Sequence, residues 1–163
     1  ETALIDHQRY PTREAFDQYL AGAIDSAQPD LVVLAGFMRI LTPEFVARFS
    51  ERLMNIHPSL LPLYPGLHTH QRALDNGDSH AGATVHYVTG ELDGGPPVLQ
   101  AKVPVNSGDD ADALAARVLA VEHQIYPVAV NWHLCGRLTW EDGSLIKDGM
   151  PVPPSGELWE STS

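Results

Sequence analysis

Leu31-Val32-Val33-Leu34-Ala35 is a run of five apolar residues between Pro29-Asp30 and Gly36. A run without polar alternation reads as a strand buried on both faces, the kind found inside parallel sheets. Upstream, Phe16, Leu20, Ala23 and Ile24 recur at i, i+4, i+7 and i+8 and predict an amphipathic helix. Thr12 is placed to cap that helix, and Glu14 to meet the positive end of its dipole. Downstream, Thr42-Pro43-Glu44 is a strong helix start, because proline at the first helical position forfeits no hydrogen bond. Phe45, Val46 and Phe49 continue that short helix, and Arg52 to His57 reads as a second buried strand.

The remaining elements follow the same logic. A short helix spans His68 to Asn76 and is closed by Gly77. Strands are expected at Ala83 to Val88 and Val98 to Val105, with the loop Thr89 to Pro97 between them. Asp109 and Asp110 open a long helix with Leu114, Val118, Val121 and Ile125 on one face. Pro127 is expected to kink it and Gly136 to end it. Trp140 and Ile146 flank a hairpin turn at residues 141–144. Residues 150–163, rich in proline, glycine and serine, are expected as a loose tail. The pattern predicts an α/β fold with a mainly parallel sheet. Ligands in such folds bind at the carboxyl ends of strands. The loops at residues 55–70 and 89–95 both start there.

The 163 residues fit one domain, 1–163, with a single core. Apolar residues make up 44% and charged residues 19%, a globular balance. Ten basic against 21 acidic side chains give a net charge of −11, which argues against nucleic-acid and anionic-membrane partners. The apolar run Leu31 to Met38 is far short of the ~18 residues of a membrane span. Cys135 is the single cysteine, which excludes an intrachain disulfide and suits a reducing compartment. No secretory signal opens the chain, so a cytoplasmic location is expected. The first residue is Glu1 rather than methionine, and the expectation is that a native start has been removed.

Three stretches carry chemistry. In Asn55-Ile56-His57-Pro58-Ser59, residues two apart on a strand share a side, so an amide and an imidazole can face one site. That pair suits oxyanion stabilisation and proton movement. It equally fits a strand-capping asparagine beside a histidine bonded to backbone. In Glu91-Leu92-Asp93-Gly94-Gly95, the glycines permit close approach and the acids can accept protons or hold a histidine. A plain acidic turn fits the same residues. An Asp93–His57 contact would favour the charged imidazole. Gly36 to Leu41 offers a backbone and apolar edge for a flat heterocycle, or simply a strand overrun with a snorkelling Arg39.

Other chemistry finds less support. Histidines at 57, 68, 70 and 86 invite a metal reading, but no cysteine or His-Glu-x-x-His pattern accompanies them. Ser59 lacks the context of a hydrolase nucleophile, Cys135 has no positioned base, and no glycine-rich phosphate loop is present.

Together, Ala35 to Leu41, Asn55 to Pro62, Tyr64 to His70 and Glu91 to Gly95 resemble the phosphoribosylglycinamide formyltransferases in their bacterial single-domain form. The similarity runs from about Thr12 to Trp132. The Asn-x-His-Pro-Ser-Leu-Leu-Pro block is shared across folate formyl-transfer enzymes. The Met-Arg-Ile-Leu and Pro-Gly-Leu-His-Thr-His blocks favour this branch.

The resemblance implies a three-layer, Rossmann-like formyltransferase fold. It implies formyl transfer from 10-formyltetrahydrofolate, a co-substrate, to the amine of glycinamide ribonucleotide in purine synthesis. Asn55, His57 and Asp93 take the catalytic positions. The folate would lie along Met38, Arg39, Ile40, Leu41 and the loop Thr89, Gly90, Glu91, Leu92, Asp93, with Asn55 beside it and Arg13 near its glutamate tail. Glu122, with Leu119, Ala120 and Val121, takes the position that holds the ribonucleotide. No metal is implied, and a monomer or homodimer acting on small molecules is expected. Family members begin with a βαβ unit bearing a phosphate loop, which is not in this sequence. The expectation is therefore better binding of folate than of ribonucleotide. Leu63 and Gly90 also depart from the family pattern, where a polar or basic residue and an acid are usual. A 10-formyltetrahydrofolate hydrolase and a non-catalytic folate-binding fragment are the alternatives.

Overall fold

The computed structural model describes residues 1–160. Thr12 caps α1 (Arg13–Ser26) by accepting from the Ala15 N–H at 3.1 Å. Thr42 caps α2 (Pro43–Arg48) in the same way. Between them lies β1 (Val32–Leu34), shorter than the apolar run that predicts it. Then come β2 (Leu53–His57), α3 (Thr69–Asp75), β3 (His80–Tyr87), β4 (Pro97–Pro104) and α4 (Ala111–Leu134). Asp110 caps α4 by accepting from the Ala113 N–H at 2.8 Å, and Pro127 lies within the helix. The expected hairpin is β5 (Leu138–Glu141) and β6 (Ser144–Lys147), and β7 (Met150–Pro151) adds a third strand.

The central sheet has the order β1-β2-β3-β4-β8, with β8 at Glu157–Leu158. It is mixed. Parallel pairing joins β1 to β2 and β4 to β8, while β2–β3 and β3–β4 are antiparallel. The loop at residues 88–96 is shorter than the dozen or so residues a parallel crossover needs, so β4 returns antiparallel to β3.

Side chains of β2 alternate between two cores, as the strand period requires. Leu53 packs with Phe45, Val46, Phe49 and Ala21 under α1 and α2. Met54 packs on the opposite face with Leu114, Val118, Ile125 and Ala129 of α4. The result is helix, sheet and helix in three layers. Tyr126 of α4 ties the layers at the sheet's end, its hydroxyl 2.6 Å from the Leu34 carbonyl and 3.1 Å from that of Met54. Burial pushes this phenol's pKa well up.

The expected loose tail is a correction. Trp159 N–H donates to the Gln100 carbonyl at 2.7 Å, and β8 pairs with β4. Composition misled here because proline and glycine space the short strands rather than preventing them, and an open sheet edge supplies the partners. Residues 161–163 of that expected tail lie outside the described residues. No described helix is long and apolar enough to cross a membrane.

Candidate active site

Leu34 at the carboxyl end of β1, Asn55 of β2 and the loop leaving β3 line an open cleft of about 160 Å³. Leu34, Phe37, Ile40, Leu41, Val46 and Val88 form its apolar wall. Asn55, His86 and Asp93 form its polar end.

Each polar residue has a structural reason to be there. Asn55 pairs across the ladder with His86, which puts both side chains on one face. Asn55 Nδ2 is 3.5 Å from His86 Nε2, and His86 Nδ1 is 2.9 Å from the Tyr87 carbonyl. The Nδ1–H therefore donates to backbone, leaving Nε2 to accept from the Asn55 amide. Burial lowers the His86 pKa, which keeps this ring neutral.

Asp93 sits at φ +50°, a left-handed conformation that aspartate tolerates better than most residues. Its loop folds tightly onto β3, where a Cβ at Gly95 would lie 1.8 Å from the Tyr87 carbonyl oxygen. Only glycine fits that approach. The Asp93 carboxylate accepts from the Gly66 N–H at 2.9 Å. It also faces His57 Nδ1 at 3.5 Å and His86 Nε2 at 3.9 Å. His57 Nε2 donates to the Tyr64 carbonyl at 2.8 Å. A ring protonated only at Nε2 would turn a bare lone pair toward the carboxylate, whereas the imidazolium turns an N–H toward it. The site thus combines an amide donor, a carboxylate and an imidazole shielded from water, the parts needed to hold a developing oxyanion and move a proton.

A formyl transferase family model matches residues 1–130. The phosphoribosylglycinamide formyltransferase of Escherichia coli is 56% identical over 147 residues, covering 90% of this chain and 69% of that protein. That of Haemophilus influenzae is 48% identical, covering 94% and 73%. The solved structure of the Coxiella burnetii phosphoribosylglycinamide formyltransferase superposes with a TM-score of 0.91 at 44% identity, covering 96% of this chain and 74% of that one. The chain belongs to the phosphoribosylglycinamide formyltransferase family.

In this family member the residues expected from sequence divide into two groups. Arg39, Ile40, Leu41, Asn55, Thr89, Gly90, Glu91, Leu92 and Asp93 all line the cleft. His57 does not line it; it lies behind Asp93, 6% exposed. Met38 is 77% exposed and is not part of the cleft wall. Arg13, at the start of α1, pairs with Glu14 at 3.7 Å and is not part of the cleft wall. Leu119, Ala120, Val121 and Glu122 lie on α4, also outside the wall. Burial raises the Glu122 carboxyl pKa, partly offset by His123.

Sequence reading names His86 only as a possible metal ligand and misses its place beside Asn55, which depends on a cross-strand register that no local pattern reveals. Arg39 has its guanidinium 5.0 Å over the Phe16 ring, with Nε buried and unpaired. Among the described residues, no three His, Cys, Asp or Glu side chains are grouped to hold a metal ion.

Proposed function

We propose that this chain transfers the formyl group of 10-formyltetrahydrofolate to the amine of 5'-phosphoribosylglycinamide, a step of purine (IMP) synthesis. The observation that carries the reading is Asn55 and Asp93 at the polar end of an apolar-walled cleft, with His57 packed behind Asp93. The amine nitrogen attacks the formyl carbon, and the carbonyl electron pair moves to oxygen. The Asn55 amide donates to that oxyanion, and the His57 imidazolium behind Asp93 supplies a compensating positive charge. Asp93 takes a proton from the attacking amine and passes one to the folate nitrogen, whose bond to carbon breaks as the carbonyl re-forms. The products are formylated glycinamide ribonucleotide and tetrahydrofolate.

The flat folate ring suits the wall of Ile40, Leu41 and Val88, with backbone from Thr89 to Asp93 at its edge. Arg39 faces the same cleft and Arg13 is the further cation assigned to the glutamate tail. Leu119, Ala120, Val121 and Glu122 are assigned to the ribonucleotide. The reading includes small-molecule substrates in the cytoplasm, a monomer or homodimer, and no metal, nucleic-acid or membrane partner.

The test follows tetrahydrofolate-product absorbance from a 10-formylfolate donor, with and without glycinamide ribonucleotide. Product that appears only with the ribonucleotide supports the transferase. Product without it makes the chain a hydrolase. Folate binding without product in either arm makes it a non-catalytic binder.

A further inference from the structure

One three-residue strap touches both members of the His57–Asp93 pair. The Tyr64 carbonyl accepts from His57 Nε2 at 2.8 Å, and the Gly66 N–H donates to Asp93 Oδ2 at 2.9 Å. Pro65 alone separates them, so the strap fixes the imidazole relative to the carboxylate through two short backbone contacts.

The strap is not in a relaxed conformation. Tyr64 has φ +54°, a left-handed value that residues with a Cβ adopt reluctantly, and His68, just beyond the strap, has φ +57°. Something outside the strap must hold it. The Tyr64 hydroxyl donates to Asp78 Oδ2 at 2.6 Å, and Asp78 Oδ1 accepts from Asn76 Nδ2 at 2.6 Å. The Asp78 N–H is bonded to the Ala73 carbonyl near the end of α3. Arg72, also on α3, lies 5.2 Å over the Tyr64 ring and donates to the Pro65 carbonyl at 2.6 Å and to that of Leu67 at 3.3 Å. Ring, hydroxyl and following carbonyls are all anchored to one helix and the turn after it.

We infer that the Tyr64 side chain, held by Asp78 and Arg72, is the positioning device that directs His57 Nδ1 toward Asp93. The inference rests on the proposed formyl transfer for its kinetic consequence only. None of the three side chains lines the cleft that Asn55 and Asp93 occupy, so they act through the strap. A misplaced imidazole costs turnover more than binding, because its work is done in the transition state.

The experiment uses the chain as it stands, labelled with nitrogen-15 histidine. The His57 Nε2–H resonance is identified by its loss in His57→Gln. Three variants are compared: Tyr64→Phe, Asp78→Ala and Asp78→Asn, the last keeping an acceptor for the tyrosine hydroxyl. The expected result is solvent exchange of the Nε2–H about tenfold faster in Tyr64→Phe and Asp78→Ala. With it goes a fall of about tenfold in kcat, while KM for both substrates stays within about twofold. Asp78→Asn restores most of both. Exchange and kcat within about twofold of wild type in the folded variants overturn the inference. If Asp78→Ala does not fold, Tyr64→Phe decides alone. If the wild type itself transfers no formyl group, the proposed reaction falls, and the N–H exchange still decides the strap.

Discussion

His57 Nδ1 lies 3.5 Å from Asp93 Oδ2, with the two side chains only 7% and 9% exposed. The residues arrive from different elements, one at the end of β2 and the other in the loop after β3. The separation exceeds the usual N–H···O hydrogen bond, so Nδ1 keeps capacity for a further acceptor such as a substrate oxygen. Shielding from water makes the attraction between imidazolium and carboxylate stronger than it would be at the surface. Asp93 stands between His57 and the cleft, so in the proposed transfer it is the group placed to meet the proton.

Asp93→Asn isolates that role. The amide keeps the shape of the carboxylate and an acceptor for the Gly66 N–H, so the loop should fold unchanged. What disappears is the charge and the proton-carrying oxygen. We expect kcat to fall by about 10²- to 10⁴-fold, the usual worth of a positioned acid–base group. Steady-state kinetics with a thermal-unfolding control measures this, and near-normal activity would remove Asp93 from the proton path.

Asn55→Ala removes the one amide donor on the cleft wall and leaves His86 Nε2 without its partner at 3.5 Å. Loss of an oxyanion donor costs about 10²- to 10³-fold in kcat. The apolar wall is untouched, so the formyl-donor KM should change little. An equal loss from KM alone would mean that Asn55 only holds the ground state.

Gly95→Ala tests the loop rather than the chemistry. Its Cβ would meet the Tyr87 carbonyl oxygen at 1.8 Å, and that oxygen belongs to a strand that cannot yield easily. The loop must move instead, carrying Asp93 with it. Destabilisation of about 1–3 kcal/mol, the range for overpacking, is expected in urea unfolding. Turnover should drop along with it. Wild-type stability and turnover together would show that the loop adjusts freely.

Much of this was legible locally. Thr12, Thr42 and Asp110 cap the helices their positions announce, because capping needs only a side-chain oxygen and the next turn of backbone. The cleft wall from Arg39 to Leu41 and from Thr89 to Asp93 was legible because both segments leave strand ends. What local reading missed depends on register and distance. His86 reaches Asn55 only through the antiparallel ladder, and Asp17 of α1 becomes the buried acceptor for the Thr42 N–H at 2.7 Å across 25 residues. Strand alternation alone allows His57 to face one site with Asn55. The strand ends at His57, and the strap at Tyr64 draws its ring behind Asp93.

Asp109 gives the fold a defined acid sensitivity. Its carboxylate takes a two-pronged contact from Arg117, at 2.7 and 3.0 Å, and the Asn106 N–H at 2.7 Å. The Arg117 hydrogen bonds, then the Asn106 N–H, hold its pKa at about 2, below the ordinary 3.8. The folded state therefore binds fewer protons than the unfolded chain between those values, and stability rises with pH across the window. The contribution is complete above about pH 4 and is lost as pH falls toward about 2. Asp109→Asn keeps one acceptor but no charge. The stability difference between wild type and variant should hold steady from about pH 5 to 7 and shrink below about pH 4. Urea unfolding at low ionic strength across that series measures it. A difference that stays constant down to the acid end would mean the Arg117 contact stabilises by shape and not by charge.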